Sequence, residues 1–320
     1  MPTLFLGKSE VLPLLNMKEV ISAVERAFRQ WSLGTAQMPP KSYISVEKGD
    51  FRAMPAYLPG AAGLKWVNVH PQNPSVCLPT VMAVIIYSDP ATGYPLAVMD
   101  GTDITAYRTG AASAIASKYL ARRDSKTLGL VGAGRQAYTQ LTAHTALFDL
   151  KLIKVYDIAE ASVQKFIHSF PQYRIEARPL ADAMASDIVC TTTPARQPVV
   201  KKEWVLPGTH INAVGADAHG KEELEPDILN EATIIVDDLR QASTSGEINV
   251  PLDRGLLSPD RIRGALGEVV AGLKPGRRSD AEITVFDSTG LAIEDIACAR
   301  LLYEKVREKK DYIWLNFVEG

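Results

Sequence analysis

The sequence predicts an α/β chain: a doubly wound parallel sheet joined to an α+β domain built on an antiparallel sheet. Three observations predict it. From Thr127 onward, apolar strand-like runs alternate with helical patterns, as in βα units. Before residue 115, strand-like runs follow one another with only short turns between them. Between these regimes stands Thr127–Asp157. There Leu128-Gly129-Leu130-Val131 leads into the turn Gly132-Ala133-Gly134-Arg135-Gln136-Ala137, a helical pattern through Asp149, and Leu152–Asp157.

That stretch has the layout of a Rossmann-type dinucleotide-binding unit. Gly132 lets the chain turn sharply, and Gly134 lets the backbone approach a pyrophosphate seated on the helix N-terminus. Ala137 stands where a third glycine is common and still permits close helix–sheet packing. Asp157 lies 25 positions after Gly132, where its carboxylate can accept hydrogen bonds from ribose hydroxyls and repel a 2′-phosphate. NAD is therefore expected rather than NADP. A glycine turn alone is common; strand, helix, second strand and acid in register make this one specific.

At 320 residues the chain is long enough for two domains, and 46% hydrophobic with 22% charged residues is ordinary for a globular protein. A net charge of −2 gives no reason to expect nucleic acid or membrane as a partner. Cys77, Cys190 and Cys298 are far apart and odd in number, which suits a reducing compartment. With neither a signal-peptide layout nor a long apolar run, the expected location is cytoplasmic.

In chain order, Ser9 precedes a short helical pattern over Glu10–Leu15. Asn16 then caps a helix with Val20, Ile21, Val24, Ala27 and Phe28 on one face, and Gly34 ends it. Strand-like runs follow at Lys41–Val46, Phe51–Met54, Leu64–His70 and Thr80–Ser88. Val81–Ile86 is unbroken apolar, which predicts cover on both faces, in part from a second subunit. Asp103–Leu120, rich in small residues, carries the chain into the dinucleotide domain. Further strands are expected at Tyr173–Ala177, Asp187–Thr193, Gly208–Val214, Thr233–Asp238 and Ile283–Phe286, with helices at Ala159–Phe170, Ala181–Ala185 and Leu291–Lys309. Arg240–Leu273 has helical pieces but no clear pattern. The last helix directly follows a strand and can return to the first domain. The expected division is 1–115 with 291–320 against 116–290.

Ligands of open parallel sheets bind beyond the carboxyl ends of the strands. Three such ends carry small, hydroxyl or acidic residues: Thr191-Thr192-Thr193-Pro194, Gly215-Ala216-Asp217 and Asp287-Ser288-Thr289-Gly290. Thr192, Gly215 and Ser288 are cofactor-site candidates, although β-branched propensity alone accounts for threonines in strands. Asp217, between two alanines, is the acidic candidate for chemistry. The first domain supplies Lys41, Arg52 and Lys65. A lysine among apolar neighbours has a lowered pKa unless it is paired, which suits proton transfer. Three cations on one sheet favour an anionic substrate, a carboxylate. His70, His144, His168, His210 and His219 have no ligand spacing, so no metal is expected. No nucleophile motif is present, and hydride transfer needs none.

The chain resembles the ornithine cyclodeaminase/μ-crystallin family over nearly its whole length. The resemblance rests on Met38-Pro39-Pro40-Lys41, Arg52-Ala53-Met54-Pro55-Ala56, Leu64-Lys65-Trp66-Val67-Asn68, Leu78-Pro79-Thr80-Val81-Met82 and Arg108-Thr109-Gly110-Ala111. In the second half it includes Gly132–Gln136, Asn212–Asp217 with Gly220-Lys221, Ser245-Gly246-Glu247-Ile248 and Phe286–Gly290. It implies a homodimer whose substrate-binding and dimerisation domains (1–115 with 291–320) join their sheets, with the NAD-binding domain (116–290) inserted. It also implies that Lys65 is the catalytic acid/base, that Lys41 and Arg52 line the substrate pocket, and that Asp217 sits beside the nicotinamide. Thr80, Arg108, Arg135, Gln136, Asp157, Lys221 and Ser288 would contact NAD. Cyclodeaminases carry a glutamate where Arg52 stands, to serve a distal amine. Arg52 favours the family's alanine dehydrogenase branch, with a small 2-oxo acid or amino acid and ammonia as substrates. The alternatives are a ketimine reductase of pyrroline-2-carboxylate type, an ornithine cyclodeaminase, and a non-catalytic NAD-binding protein.

Overall fold

The computed structural model describes residues 2–316 and 318. The chain opens with β1 (Thr3–Leu6), α1 (Lys8–Leu14) and α2 (Met17–Ser32). Asn16 caps α2 as its spacing predicts, accepting hydrogen bonds from the Lys18 and Glu19 amides, and the apolar face Val20, Ile21, Val24, Ala27 and Phe28 is buried. Helix α1 differs from expectation. Gly7, not Ser9, stands at its N-cap, so no side chain satisfies the first amides. Strands β2 (Ser42–Val46), β3 (Gly49–Leu58), β4 (Ala61–Val69), β5 (Val81–Ser88) and β6 (Pro95–Asp100) precede α3 (Thr102–Leu120).

The parallel part follows as β7 (Thr127–Val131), α4 (Arg135–Leu147), β8 (Leu152–Tyr156), α5 (Glu160–Ser169), β9 (Ile175–Ala177), α6 (Leu180–Met184), β10 (Ile188–Thr191), β11 (Arg196–Val200), β12 (His210–Ala213) and β13 (Glu222–Leu224). It continues through α7 (Pro226–Glu231), β14 (Thr233–Val236), α8 (Leu239–Ser245), α9 (Asn249–Asp253), β15 (Ile262–Ala265), α10 (Leu266–Val270) and β16 (Thr284–Asp287). Helix α11 (Ala292–Val306) and β17 (Ile313–Leu315) close the chain.

Two compact units result. One holds the residues up to Arg108 and those from Leu291 on; the other is Thr109–Gly290. The divide falls after Arg108, inside the continuous helix α3.

The first unit has a seven-stranded sheet in the order β17-β1-β6-β5-β4-β3-β2. It is antiparallel except for the β1–β6 pair, which is parallel, so the sheet is mixed. The short strands β1, β6 and β17 were absent from the expectation. Three to six residues leave little room for alternation to show, and β6 begins on a proline. Helix α11 packs on α2 and on β3, β4 and β5. Along β5, Ala83, Ile85 and Tyr87 are buried while Val84 and Ile86 are more than 40% exposed. Within one chain, only one face of β5 is covered.

The second unit has eight parallel strands in the order β15-β14-β16-β12-β10-β7-β8-β9. Strand order reverses between β7 and β10, the switch point where doubly wound sheets bind ligands. Beneath it lies a buried polar chain. The His144 Nδ1–H donates to the Gln140 carbonyl (2.8 Å), and Nε2 lies 2.9 Å from Ser117 Oγ. Asn212 Nδ2 donates to the same hydroxyl (3.0 Å), while its Oδ1 lies 3.3 Å from His210 Nε2. Among the described residues no helix is long and apolar enough to cross a membrane.

Burial lowers the His144 pKa to about 4, and burial with the Arg277 charge lowers that of His210 to about 3. Both imidazoles stay neutral in the folded state while the unfolded chain protonates below its ordinary histidine pKa. The unfolded state therefore binds more protons, and stability falls as pH drops from about 6.5 towards 4. Each histidine contributes up to roughly 3 kcal/mol to this fall. His144→Gln should lower neutral-pH stability by about 1–3 kcal/mol through lost hydrogen bonds, yet make the acid slope of the urea midpoint shallower. Equal slopes in parent and variant would show that His144 is not held neutral.

Candidate active site

In the first unit, sheet pairing assembles the cations. Arg52 on β3 pairs with Tyr43 and Val67, and Lys65 on β4 pairs with Met54 and Ile85. Residues paired across a sheet share a face, and so do alternate residues along a strand. Arg52 and Lys65 therefore project from the same side, and Lys41 precedes β2 in the same phase as Tyr43. Trp66, one residue on, points to the opposite face and is 40% exposed.

Lys65 is fully buried between Met54 and Ile85, both apolar and buried. Its Nζ lies 2.7 Å from Asp295 Oδ2, on α11, and 3.4 Å from Thr105 Oγ1, on α3. Burial, with the charges of Arg108 and Lys41 adding to it, outweighs the Asp295 carboxylate and lowers the Lys65 pKa to about 7. Arg52 is buried, and its Nε donates to Asp50 Oδ1 at 2.7 Å while its guanidinium stacks over the Tyr43 ring. Thr80 stands just before β5, its carbonyl accepting from the His70 amide.

Arg108 is also buried. It donates through Nη1 to Glu294 Oε2 at 2.9 Å and through Nε to Asp295 Oδ1 at 3.1 Å. Burial works against its charge, but Asp295 and Glu294 outweigh that and raise its pKa. Neither Glu294 nor Asp295 was singled out from sequence. As two acids in the first turn of a helix, they have the pattern of ordinary dipole partners. Only the tertiary fold shows that they face two cations.

In the second unit, the turn after β7 meets the end of β10. Gly132 has φ +100°, and a Cβ there would lie 2.7 Å from Thr192 Oγ1. The Thr192 amide donates to the Val131 carbonyl (2.8 Å), holding the two strand ends together. Asp157 reaches back to the turn, where Oδ2 accepts from the Ala133 amide at 2.7 Å. Ile158 beside it is 93% exposed. Arg135 and Gln136 form the first turn of α4. After β12, Asp217 is paired with Lys221 (2.5 Å), the next predicted contact in sequence.

Glu223, which sequence reading also missed, is buried and collects the loops around Asp217. Its carboxylate accepts from Thr191 Oγ1, the Thr193 amide and hydroxyl, and the Gly215 amide, at 2.7–2.8 Å. Gly215 has no alternative residue here, because a Cβ would lie 2.1 Å from the Thr193 carbonyl oxygen.

These residues fit a dinucleotide on two local observations. Gly134 is the N-cap of α4 and has no side chain to satisfy its first amides, and a Cβ placed on it would meet nothing within 4 Å. An open helix N-terminus of this kind accepts a phosphate. The Ser288 hydroxyl oxygen at the end of β16 is buried and makes no hydrogen bond among the described residues. No group of three or more His, Cys, Asp or Glu among the described residues is arranged to hold a metal.

The chain is similar to known proteins over nearly its full length. Residues 1–310 match the ornithine cyclodeaminase/mu-crystallin family. The alanine dehydrogenase of Archaeoglobus fulgidus is 54% identical over 311 residues, 97% of either chain. A solved archaeal alanine dehydrogenase dimer with bound NAD superposes with TM-score 0.97 at 52% identity, covering 99% of this chain and all of that one. The Thermococcus litoralis Δ1-pyrroline-2-carboxylate reductase, solved with NADH and L-proline, gives 0.93 at 42% identity over 96% of this chain and 98% of its own. The chain belongs to the ornithine cyclodeaminase/mu-crystallin family.

Proposed function

We infer that this protein is an NAD-dependent alanine dehydrogenase that interconverts L-alanine and water with pyruvate and ammonia. The observation that carries the reading is the full-length likeness to the A. fulgidus enzyme, and the cations of the first unit supply its chemistry. Arg52 and Lys41 bind the substrate carboxylate, Arg52 offering a planar fork of donors. Lys65 is the acid/base. As an ammonium it protonates the hydroxyl that leaves when ammonia has added to the keto carbon. As a free amine it takes a proton from water in the opposite direction. A pKa of about 7 makes both forms available near neutrality. Asp217 takes the positive charge of the iminium. Gly132, Gly134, Arg135, Gln136, Asp157, Thr192, Gly215, Lys221, Ser288, Thr80 and Arg108 are the residues assigned to the cofactor, with Asp157 favouring an unphosphorylated ribose. NAD, when bound, supplies the hydride chemistry.

The exposed apolar side chains Trp66, Val84 and Ile86 on the outer face of β4 and β5 support a homodimer built through this sheet. In this reading the first unit carries the substrate cations and the dimer face, and the second carries the glycine turn and most of the residues assigned to NAD.

A second reading, a cyclic-imine reductase, draws on the likeness to the T. litoralis protein, since the same cations can hold pyrroline-2-carboxylate. Oxidation of NADH with a panel of 2-oxo acids and cyclic imines, with and without ammonium, separates the two. Strict dependence on ammonium with pyruvate supports the dehydrogenase; turnover of the imine alone supports the reductase.

Lys65→Ala should cost about 10²–10⁴-fold in turnover, the usual worth of a positioned acid/base, with NADH affinity by fluorescence titration largely unchanged. In the parent, kcat for alanine oxidation should fall below about pH 7, because protonation removes the base; a profile flat from pH 6 to 8 would exclude Lys65 from that step. Arg52→Leu should raise KM for pyruvate by roughly 10–100-fold, the worth of charge-assisted hydrogen bonds, while Arg52→Lys recovers part of it. An unchanged KM in Arg52→Leu would remove Arg52 from carboxylate binding.

A further inference from the structure

We propose that Asp295 is a positioning residue for proton transfer at Lys65: its carboxylate fixes where the amine points and ties it to Arg108. The inference deepens the dehydrogenase reading and rests on it for the role of Lys65. The geometry is local to the first unit. One Asp295 oxygen faces Lys65 Nζ at 2.7 Å, and the other accepts from Arg108 Nε at 3.1 Å. Both acid and amine are fully buried.

A lysine side chain has four rotatable carbon–carbon bonds and a point charge, so its own stem does not aim the amine. In the wall around Lys65, Met54 and Ile85 offer no polar atom. Thr105 donates its hydroxyl hydrogen to the Gly101 carbonyl at 2.7 Å, which leaves its oxygen as a weak acceptor 3.4 Å from Nζ. Among the described residues, the groups acting most strongly on Lys65 include Arg108 from α3, Asp295 from α11 and Lys41 ahead of β2, and Cys298 of α11 also feels its charge. Two of these are cations and one is a thiol pushed up by burial, hence neutral. Among them, Asp295 alone favours the ammonium. Arg108 in turn fixes Asp295, and Glu294 holds Arg108 from the other side. The amine is thus aimed by a braced carboxylate.

Asp295→Asn keeps the volume and an oxygen for Arg108 but removes the charge that favours the ammonium. Two measurements read it. The first is the NMR titration of the Lys65 amine in protein labelled with ¹⁵N-lysine, which needs no substrate. The second is the pH profile of kcat on whichever substrate the parent turns over. Loss of the carboxylate should move both the amine titration and the acid limb of kcat down by about one pH unit or more. It should also lower kcat at least about tenfold, with KM for NADH little changed. A merely structural role would lower activity without moving the titration, and an unmoved titration overturns the proposal. If the asparagine variant does not fold, Asp295→Glu keeps the charge and displaces the amine. It should titrate close to the parent yet turn over more slowly, and full parental kcat in that variant overturns the proposal. If no alanine turnover is found in the parent, the dehydrogenase reading fails while the NMR titration still decides whether Asp295 governs Lys65.

Discussion

The constraint on which the first unit depends is the burial of an ammonium between two apolar strands. Lys65 sits where Met54 and Ile85 leave it no solvent, and neither of them offers it a carboxylate. Its partner comes from α11, and the Lys65–Asp295 pair extends into a cluster with Arg108 and Glu294. Breaking such a buried pair costs about 3–5 kcal/mol, against a total stability of roughly 5–15 kcal/mol for a domain. Apolar residues of similar volume would hold these elements together as well or better. The cluster is therefore poorly explained by stability and well explained by chemistry that needs a proton held away from water.

The second unit solves a different problem, that of polar groups at the carboxyl ends of parallel strands. Its loops must approach closely, and closeness is obtained with glycine where a side chain has no room, as at Gly132 and Gly215. The loops must also stay put. Glu223 does this by accepting four hydrogen bonds from the ends of two strands, and Thr192 by bonding across the switch point. Asp157 follows the same logic, its carboxylate satisfying the Ala133 amide of the glycine turn.

The parallel sheet was legible in the sequence because its strands are buried runs separated by turns, and Thr127–Asp157 carries its own punctuation. The antiparallel hairpins β3–β4 and β4–β5 were legible for the same reason. Short strands such as β1 and β17 were not, since three or four residues carry no period and their pairing comes from opposite ends of the chain. Arg240–Leu273 resisted parsing because it is made of pieces of three to seven residues, α8, α9, a 3₁₀ turn, β15 and α10. In the site, the cations were visible as charges embedded in apolar strands. Glu223, Glu294 and Asp295 were not, because an acid next to a helix start or in a polar loop has an ordinary explanation until its partner is known.

The position of those hidden acids explains why the parallel unit is inserted rather than appended. Arg108 and Asp295 are 187 residues apart in sequence yet bonded in space. Helix α11 covers the β3–β5 face and brings the only acids bonded to Lys65 and Arg108 among the pairs described. Without that helix, Lys65 and Arg108 would lose the carboxylates paired with them, and their burial would be costly. The first unit thus needs residues from both sides of the intervening parallel unit. Such non-local closure is slow compared with local folding. It also means that the carboxylate paired with Lys65 comes from the same helix that covers the β3–β5 face.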